Sequence, residues 1–198
     1  MDDLAGQLRL PGFEPEPQPT ITGVVTSLQT LVDEGKKFSC IYADPPWKYS
    51  NQASENSTDL QYPTMTVAQI CAEPVLQLVE DNAHLHLWTT NGFLFEARQV
   101  LESWGFTYKS CFVWLKNGLG MGNYWRVTHE FMLFGIRGKC PFRNRSQKSW
   151  EFHPRGRHSV KPDAIRSKVE LVSPGPYLEL YGRKPVEGWT VYGNEVSS

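Results

Sequence analysis

An apolar segment that ends abruptly on Asp44-Pro45-Pro46-Trp47 constrains this chain more than any other feature. Residues 38–43, with the sequence FSCIYA, are rich in strand-forming side chains and predict a buried β-strand. The two prolines that follow can neither continue a helix nor donate to a strand ladder. A carboxylate, rigid carbonyls and an indole ring are therefore expected where a sheet opens into a crevice, which is where α/β sheets bind ligands.

This tetrapeptide is suited to holding the exocyclic amine of a nucleobase. Such an amine is a poor nucleophile because its lone pair is delocalised into the ring. The Asp44 carboxylate and the Pro45 carbonyl can accept its two N–H groups and favour a lone pair localised on nitrogen, while Pro46 keeps the backbone rigid. Trp47 can stack on the extruded base. These four residues are the predicted catalytic set for amine methylation; the alternative is a rigid turn with Asp44 as its cap.

The composition indicates one globular domain. The 198 residues are 40% hydrophobic, enough for a single core, and no apolar run reaches membrane-spanning length. Residues 1–20 are expected to be a flexible arm and 21–198 the folded domain. The four cysteines (Cys40, Cys71, Cys111 and Cys140) form no CxxC pair, and the acidic, proline-bearing amino terminus is unlike a secretory signal. Reduced thiols and a cytoplasmic location are expected.

The charge is unevenly distributed, although the net charge is only -1. Residues 137–168 contain ten basic and two acidic side chains, interleaved with Phe142, Trp150, Phe152 and His153. This pattern favours a nucleic-acid partner, and a solvated loop is the alternative. The candidate substrate-binding residues are Tyr49, Asn51, Lys116, Asn117, Asn123, Arg143, Arg145, Lys148, Arg155 and Arg157.

Strands and helices are predicted to alternate. Helices are expected over residues 22–34, 66–79 (with Thr66 as cap and a kink at Pro74), 92–104 and 162–172, and strands over 38–43, 83–89, 107–115, 130–136, 177–181 and 189–192. Residues 48–64 and the glycine-rich 116–125 are expected to be loops beside the site. The alternation predicts a mostly parallel sheet in a three-layer α/β/α domain.

Several collinear motifs resemble those of one family, the MT-A70 adenine methyltransferases, over nearly all of the chain except the arm. The matching segments are Ala43-Asp44-Pro45-Pro46-Trp47, Leu87-Trp88-Thr89-Thr90-Asn91, Trp114-Leu115-Lys116-Asn117, His129-Glu130, Ser159-Val160-Lys161-Pro162-Asp163, Glu179-Leu180-Tyr181-Gly182-Arg183, Trp189, and Gly193-Asn194-Glu195. The family includes the catalytic subunit of the eukaryotic messenger-RNA adenosine methyltransferase and bacterial and phage enzymes.

The resemblance implies a Rossmann-like fold with permuted motif order and S-adenosylmethionine as the methyl donor. It places Lys161 near the methionine carboxylate and Asp44 near the amino group of the donor. Glu179 and Arg183 are implied to hold the ribose and adjoining polar groups, an ordinary ion pair being the alternative. Asn194 and Glu195 would hold the far end of the cofactor. Many relatives have glutamine at the position of Glu195, which makes that contact a departure from the family pattern.

Amine methylation by a sulfonium needs no metal, and none is expected, although His84 and His86 fall on one face of a predicted strand. Gln7-Leu8-Arg9-Leu10-Pro11 is similar to peptides that dock on a bacterial sliding clamp, with chance as the alternative. A homo- or heterodimer is also considered.

The leading hypothesis is methylation of the N6 amine of adenine in DNA. RNA adenine, the cytosine amine and a non-catalytic nucleic-acid-binding subunit remain alternatives.

Overall fold

The computed structural model of the protein describes residues 23–49, 63–120, 124–155 and 161–193. The expected arm, the clamp-like peptide and most of the 48–64 loop lie outside these ranges. Five predicted site residues also lie outside them: Asn51, Asn123, Arg157, Asn194 and Glu195.

Eight strands form one sheet in the order β1-β8-β7-β2-β3-β5-β4-β6. They are β1 (Gly23–Val25), β2 (Phe38–Ala43), β3 (Val79–Thr89), β4 (Thr107–Leu115), β5 (His129–Arg137), β6 (Trp150–Phe152), β7 (Tyr177–Leu180) and β8 (Trp189–Tyr192). Strand β5 runs antiparallel to both of its neighbours, and every other pairing is parallel. The predicted mostly parallel α/β fold is confirmed.

Short helices cover the two faces of the sheet. They are α1 (Leu28–Asp33), α2 (Val67–Cys71), α3 (Val75–Leu78), α4 (Leu94–Ser103), preceded by a 3₁₀ turn at Asn91–Phe93, and α5 (Asp163–Val172). Helices α1 to α4 share the larger apolar core with one face, and α5 packs on the other face over Tyr42, Trp88 and Trp189. None of the helices in the described ranges is long and apolar enough to cross a membrane.

Apart from shifted ends, such as the start of β3 at Val79 instead of residue 83, the structure differs from the predicted elements at four places. The helix expected over 22–34 is split, because residues 23–25 pair as strand β1 with β8 before α1 begins. Pro74 separates α2 from α3 instead of kinking one helix. Pro162 is the N-cap residue of α5, although it was predicted to be the first residue of that helix. Strand β6, inside the basic segment, was not predicted, because three residues are too few to show a period.

One edge of the sheet collects the polar ends of four strands. Asp44 follows β2, Thr90 follows β3 and Lys116 follows β4, all strands that point the same way. Because β5 is antiparallel, its beginning lies at this edge and places Glu130 there. Lys161 lies just before α5 and reaches the same edge from the α5 face.

Candidate active site

A buried lysine joins two carboxylates at this edge. Lys161 Nζ donates to Asp44 Oδ2 at 2.6 Å and lies 3.2 Å from Glu130 Oε2. The same ammonium lies 5.3 Å from the centre of the Trp88 ring, which shields it from solvent on that side. Acceptor oxygens from the ends of two different strands therefore converge on a single nitrogen.

Lys116 completes the cluster from the end of β4. Its ammonium donates to Glu130 Oε1 and lies 4.3 Å from the centre of the Trp114 ring. Each oxygen of Glu130 thus faces a different lysine. The order Asp44, Lys161, Glu130, Lys116 alternates in sign and contains two charges of each kind, so the cluster is neutral as a whole.

Burial and charge oppose each other in this cluster. Burial raises the pKa of the Asp44 carboxyl, and the Lys161 ammonium beside it works in the other direction. Burial also disfavours the ionised form of Glu130, but Lys161 and Lys116 together hold the pKa of Glu130 below its ordinary value. Although burial disfavours the ammonium of Lys161, Asp44 and Glu130 raise its pKa. Burial thus opposes the ionised form of each of these three groups, and the opposite charges beside it favour that form.

The proline turn is held by backbone bonds on both sides. The Trp47 N–H donates to the Pro45 carbonyl at 2.9 Å, and the Met65 N–H donates to the Pro46 carbonyl at 2.8 Å. The Pro45 oxygen keeps a second lone pair for another donor. A bridge between Trp47 and Met65 ties the turn to the segment before α2, so the carbonyl directions are fixed.

Trp47 lies in the core and does not present a free ring face to the crevice. Its side chain is 7% exposed, its indole N–H donates to the Trp88 carbonyl at 3.2 Å, and its ring stacks on Phe93 at 5.2 Å. This arrangement corrects the expectation that Trp47 is available as a base-stacking platform. Tyr49, two residues on, is exposed and donates or accepts at Thr90 Oγ1 over 2.6 Å, with its ring edge against Phe93.

A second buried carboxylate lies at the end of β7. Glu179 Oε1 accepts from Arg166 Nη2 at 3.0 Å, and Arg166 Nη1 donates to Asp163 at 2.8 Å. Glu179 Oε2 is buried and has no hydrogen-bond partner. A buried acceptor without a donor costs free energy unless a ligand hydroxyl supplies one. The unpaired acceptor at this strand end therefore fits the ribose hydroxyls of S-adenosylmethionine, which can donate to it.

The backbone beside Glu179 is close-packed. The Gly182 N–H donates to the Tyr192 carbonyl at 2.9 Å, and a Cβ on Gly193 would collide with the Gly182 carbonyl oxygen. Glycine at these positions lets the segments after β7 and β8 run side by side next to the carboxylate.

The ion pair of Glu179 is made with Arg166 from α5, and Arg183 is placed differently. Arg183 is exposed, and its charge acts on Asp44, where it favours the ionised carboxylate. The sequence motif joined Glu179 and Arg183 because they are neighbours in the chain. Arg166 was missed because nothing in a helical sequence shows which strand its side chain will meet.

The predicted nucleic-acid contacts fall into two groups. The first group lies at the sheet edge that carries Asp44 and consists of Lys116, Asn117 and Arg155. There the backbone N–H of Arg155 donates to Asn117 Oδ1 at 2.6 Å. Arg143 is elsewhere, because its backbone N–H donates to the carbonyl of Val172, the last residue of α5. That end of the helix is about 15 Å from the end near Lys161. Arg145 and Lys148 are exposed on the segment between Arg143 and β6.

His84 and His86 belong to a buried hydrogen-bond network. His84 Nδ1 and His86 Nε2 lie 2.9 and 2.8 Å from the hydroxyl of Ser173, and His84 Nε2 lies 3.2 Å from the Cys140 carbonyl. Burial lowers the pKa of His86 to about 3. Among the described residues, no group of three or more His, Cys, Asp and Glu side chains could hold a metal.

A mostly parallel sheet with carboxylates at the ends of β2 and β7 is consistent with the α/β fold of S-adenosylmethionine-dependent methyltransferases. The sequence model of one family, MT-A70, matches residues 38–195, which include both carboxylates. The chain therefore belongs to the MT-A70 family.

Individual relatives agree with this membership. The chain is 33% identical over 185 residues to the Type II methyltransferase M.MunI of Mycoplasma sp., which covers 81% of this chain and 78% of that protein. It is 27% identical over 193 residues to the human N(6)-adenine-specific methyltransferase METTL4, covering 87% of this chain and 40% of the relative. It is 29% identical over 175 residues to the human N(6)-adenosine-methyltransferase catalytic subunit METTL3, covering 81% of this chain and 28% of the relative.

Glu130 is a further residue of the site to which the sequence alone assigned no role. His129-Glu130 stood among the family motifs, but its meaning depends on the direction of β5. Only an antiparallel strand brings its first residues to the edge where the parallel strands end. Lys161 on both carboxylates is likewise a product of the fold, since it lies 117 positions from Asp44.

Proposed function

We propose that this chain transfers a methyl group from S-adenosylmethionine to the N6 amine of adenine in DNA. The observation that carries the proposal is the Asp44 carboxylate after β2, which already accepts from one nitrogen, that of Lys161, and is followed directly by the fixed Pro45 carbonyl. Two acceptors on successive residues are suited to an amine with two N–H groups.

Asp44 is the group that holds the target amine. Its carboxylate accepts one N–H, and the second lone pair of the Pro45 carbonyl accepts the other, in a turn already fixed by Trp47 and Met65. Acceptors on both N–H groups favour a lone pair directed out of the ring plane. No covalent intermediate is needed, so orientation and exclusion of water provide most of the acceleration.

Lys161 has to give up one of its carboxylates when the amine binds at Asp44. Its other partner, Glu130 Oε2, is 3.2 Å away, so the ammonium stays paired while it shifts. Glu130 in turn remains neutralised by Lys116. The target amine can thus replace Lys161 at Asp44 while every buried charge keeps a partner. An unpaired buried charge would cost several kcal/mol.

When bound, S-adenosylmethionine supplies an electrophilic methyl group on a sulfonium. The residues proposed to hold it are Glu179, whose free Oε2 suits the ribose hydroxyls, together with Lys161, Arg183, Asn194 and Glu195 from the family pattern. Arg166 keeps the Glu179 carboxylate oriented. No metal is proposed.

DNA is proposed as the substrate because of M.MunI. The chain matches 78% of that Type II methyltransferase, whereas it matches 28% and 40% of the two human relatives. A compact chain with a basic segment of ten cations also suits a polyanion. A cytoplasmic location is proposed with it.

Mass spectrometry of nucleosides tests the proposal. The protein is incubated with S-adenosylmethionine and, separately, with adenine-containing DNA and RNA, which are then digested to nucleosides. We expect N6-methyladenine from DNA. Product from RNA alone would move the substrate to RNA, methylcytosine alone would move the target base, and no product from either would favour a non-catalytic subunit.

A further inference from the structure

One face of the outer three strands carries aromatic rings, and no helix of the described residues covers them. Paired residues share a face of a sheet, so the register of β4 with β5 and β6 places six side chains together. They are Val113, Leu115, His129, Phe131, Trp150 and Phe152, which we call the open face.

The open face is more accessible than the opposite face of the same strands. Trp150 is 48% and Phe152 54% exposed, and the other four side chains are only half-buried. On the opposite face, Trp114 and Met132 are buried in the core that α5 shares. Helix α4 lies on the side of the open face but meets β5 further along, where Leu101 packs against Gly135.

The acidic residues of these three strands lie on the face opposite the open face. Strands β4, β5 and β6 hold only two acidic residues, Glu130 and Glu151. Both point to the opposite face, where Glu130 meets Lys116 and Lys161, and Glu151 meets Lys168 at 3.3 Å.

Cations border the rings on the accessible side. Lys148 Nζ lies 5.5 Å from the centre of the Trp150 ring, and the exposed Arg126 and Arg155 flank β5 and β6. Apolar rings with cations beside them, and with no carboxylate of β4, β5 or β6 on their face, complement an oligonucleotide with unpaired bases.

We propose that the open face binds unpaired nucleotides next to the target base, with Trp150 and Phe152 as the stacking rings. The two residues are two positions apart on one strand, so their Cα atoms are about 6.7 Å apart and both rings lie on one side. That spacing allows one base per ring. From these rings the bound oligonucleotide continues over Leu115 toward Lys116 and the amine site. The inference deepens the proposed function and rests on it for the position of the target base.

A second copy of this chain is the less favoured occupant. A two-fold contact through the open face would bring the Lys148, Arg126 and Arg155 groups of both copies together, with no carboxylate of β4, β5 or β6 on that face to offset them. Like charges at an interface disfavour association, whereas phosphates between those cations favour it.

Fluorescence anisotropy with a labelled 12-nucleotide single strand, as DNA and as RNA, tests the inference. The double variant W150A/F152A removes both rings. Because each stacked base contributes substantially to binding, we expect the affinity for single strands to fall by about 30-fold. Affinity for a blunt duplex of the same sequence should change by less than about threefold, since paired bases cannot stack on the rings. The same affinity for single strands in wild type and double variant would overturn the proposal.

Two control variants isolate the stacking interaction. Tyr108→Ala removes an exposed ring at the opposite end of β4 and should bind like wild type. The variant W150Y/F152Y keeps two rings and should stay within about threefold of wild type. A loss in Y108A equal to that in W150A/F152A, or a W150Y/F152Y variant as weak as the alanine variant, contradicts stacking at this face.

Sedimentation and product analysis separate the alternatives. A wild-type dimer that the double variant converts to a monomer, with unchanged oligonucleotide affinity, assigns the open face to a second copy and overturns the inference. Methyl transfer at saturating single-stranded DNA should keep its kcat in W150A/F152A while KM rises. If the wild type makes no N6-methyladenine but the double variant still loses affinity, the proposed function fails and the binding surface stands.

Discussion

The Lys161 ammonium lies 2.6 Å from the Asp44 carboxylate, although the two residues are 117 positions apart in the chain. Asp44 directly follows β2, and Lys161 lies just before α5. The ion pair therefore joins the end of this strand to the start of the helix. It also occupies the position that the proposed amine substrate has to take.

Replacing Lys161 is expected to change the pH dependence of methyl transfer. In Lys161→Met, the Asp44 carboxyl loses the cation that opposes the effect of burial, so the pKa of Asp44 rises further. In the proposed site the ionised carboxylate of Asp44 is the stronger acceptor for the amine, so the acid limb of the rate profile moves to higher pH. We expect the rate at pH 7 to fall by about 100-fold. The rate measured from pH 5 to 9 checks this, with Lys161→Arg as control. An acid limb at the wild-type position would contradict the pairing.

Glu130 is expected to matter for transfer. Glu130→Gln keeps the shape of the side chain but leaves Lys116 and Lys161 without a shared anion. Hydrogen bonds to charged groups contribute about 1.5–3 kcal/mol, so kcat should fall by about 10- to 100-fold. Calorimetric titration with S-adenosylmethionine, run on the same preparation, shows whether cofactor binding is retained. A variant with wild-type kcat would remove Glu130 from the site.

The Arg166–Glu179 pair is expected to be a large contributor to stability when only one partner is removed. Both side chains are nearly buried, and Arg166→Met leaves the Glu179 carboxylate unpaired in the core. The free energy of unfolding should fall by about 3 kcal/mol. Arg98→Met breaks an exposed pair with Glu102, which solvent screens, and should change the free energy of unfolding far less. Urea unfolding measures both, and equal losses would contradict the burial argument.

Trp47 is expected to act mainly through packing. Its ring stacks on Phe93 inside the larger core, so Trp47→Ala should lower the free energy of unfolding by about 3–5 kcal/mol. Tyr49→Ala, which removes an exposed ring two residues away, should cost less than about 1 kcal/mol. Thermal unfolding of the two variants distinguishes them. If Trp47→Ala were as stable as wild type, the indole would not be a packing residue, and the expectation of a base-stacking Trp47 would stand again.

The His86 imidazole is expected to destabilise the fold in acid. Burial lowers the pKa of His86 to about 3, whereas an imidazole in the unfolded chain has a pKa of about 6.5. Between these two pKa values His86 binds a proton in the unfolded chain but not in the folded chain. The free energy of unfolding therefore decreases as the pH falls from about 6.5 toward 3. The loss is about 1.4 kcal/mol per pH unit for one such group. Urea unfolding between pH 7.5 and 5 should show a shallower decline in His86→Phe. Equal declines would mean that His86 is not the group responsible.

Much of the fold could be predicted because its strands are local apolar segments. Residues 38–43, 107–115 and 189–192 are strands as predicted, and Pro162 and Gly35 lie at helix ends. Strand β1 was assigned to a helix because pairing with β8, about 170 positions away, decides its conformation. Local propensity carries no information about such a partner.

The site could be predicted in part. The end of β2 at Asp44 follows from the prolines, but the contacts of Glu130, Arg166 and Lys116 depend on which strands become neighbours. The sequence placed Trp47 in the same tetrapeptide as Asp44 and so suggested a shared role. In the structure the proline turn separates their side chains, and Trp47 packs in the core while Asp44 pairs with Lys161.

The initial rate of methyl transfer in Asp44→Asn tests the central claim most directly. Wild type, Asp44→Asn and Asp81→Asn are incubated with methyl-labelled S-adenosylmethionine and adenine-containing DNA, and label in N6-methyladenine is counted. Asp81 is the matched control because its carboxylate is 99% exposed, near the far end of β3. We expect Asp44→Asn to be slower by about 1,000-fold or more, because a neutral amide accepts the amine less well and presents a donor of its own, while Asp81→Asn keeps the wild-type rate. Asp44→Asn at the wild-type rate, with the fold intact by thermal unfolding, would contradict the account.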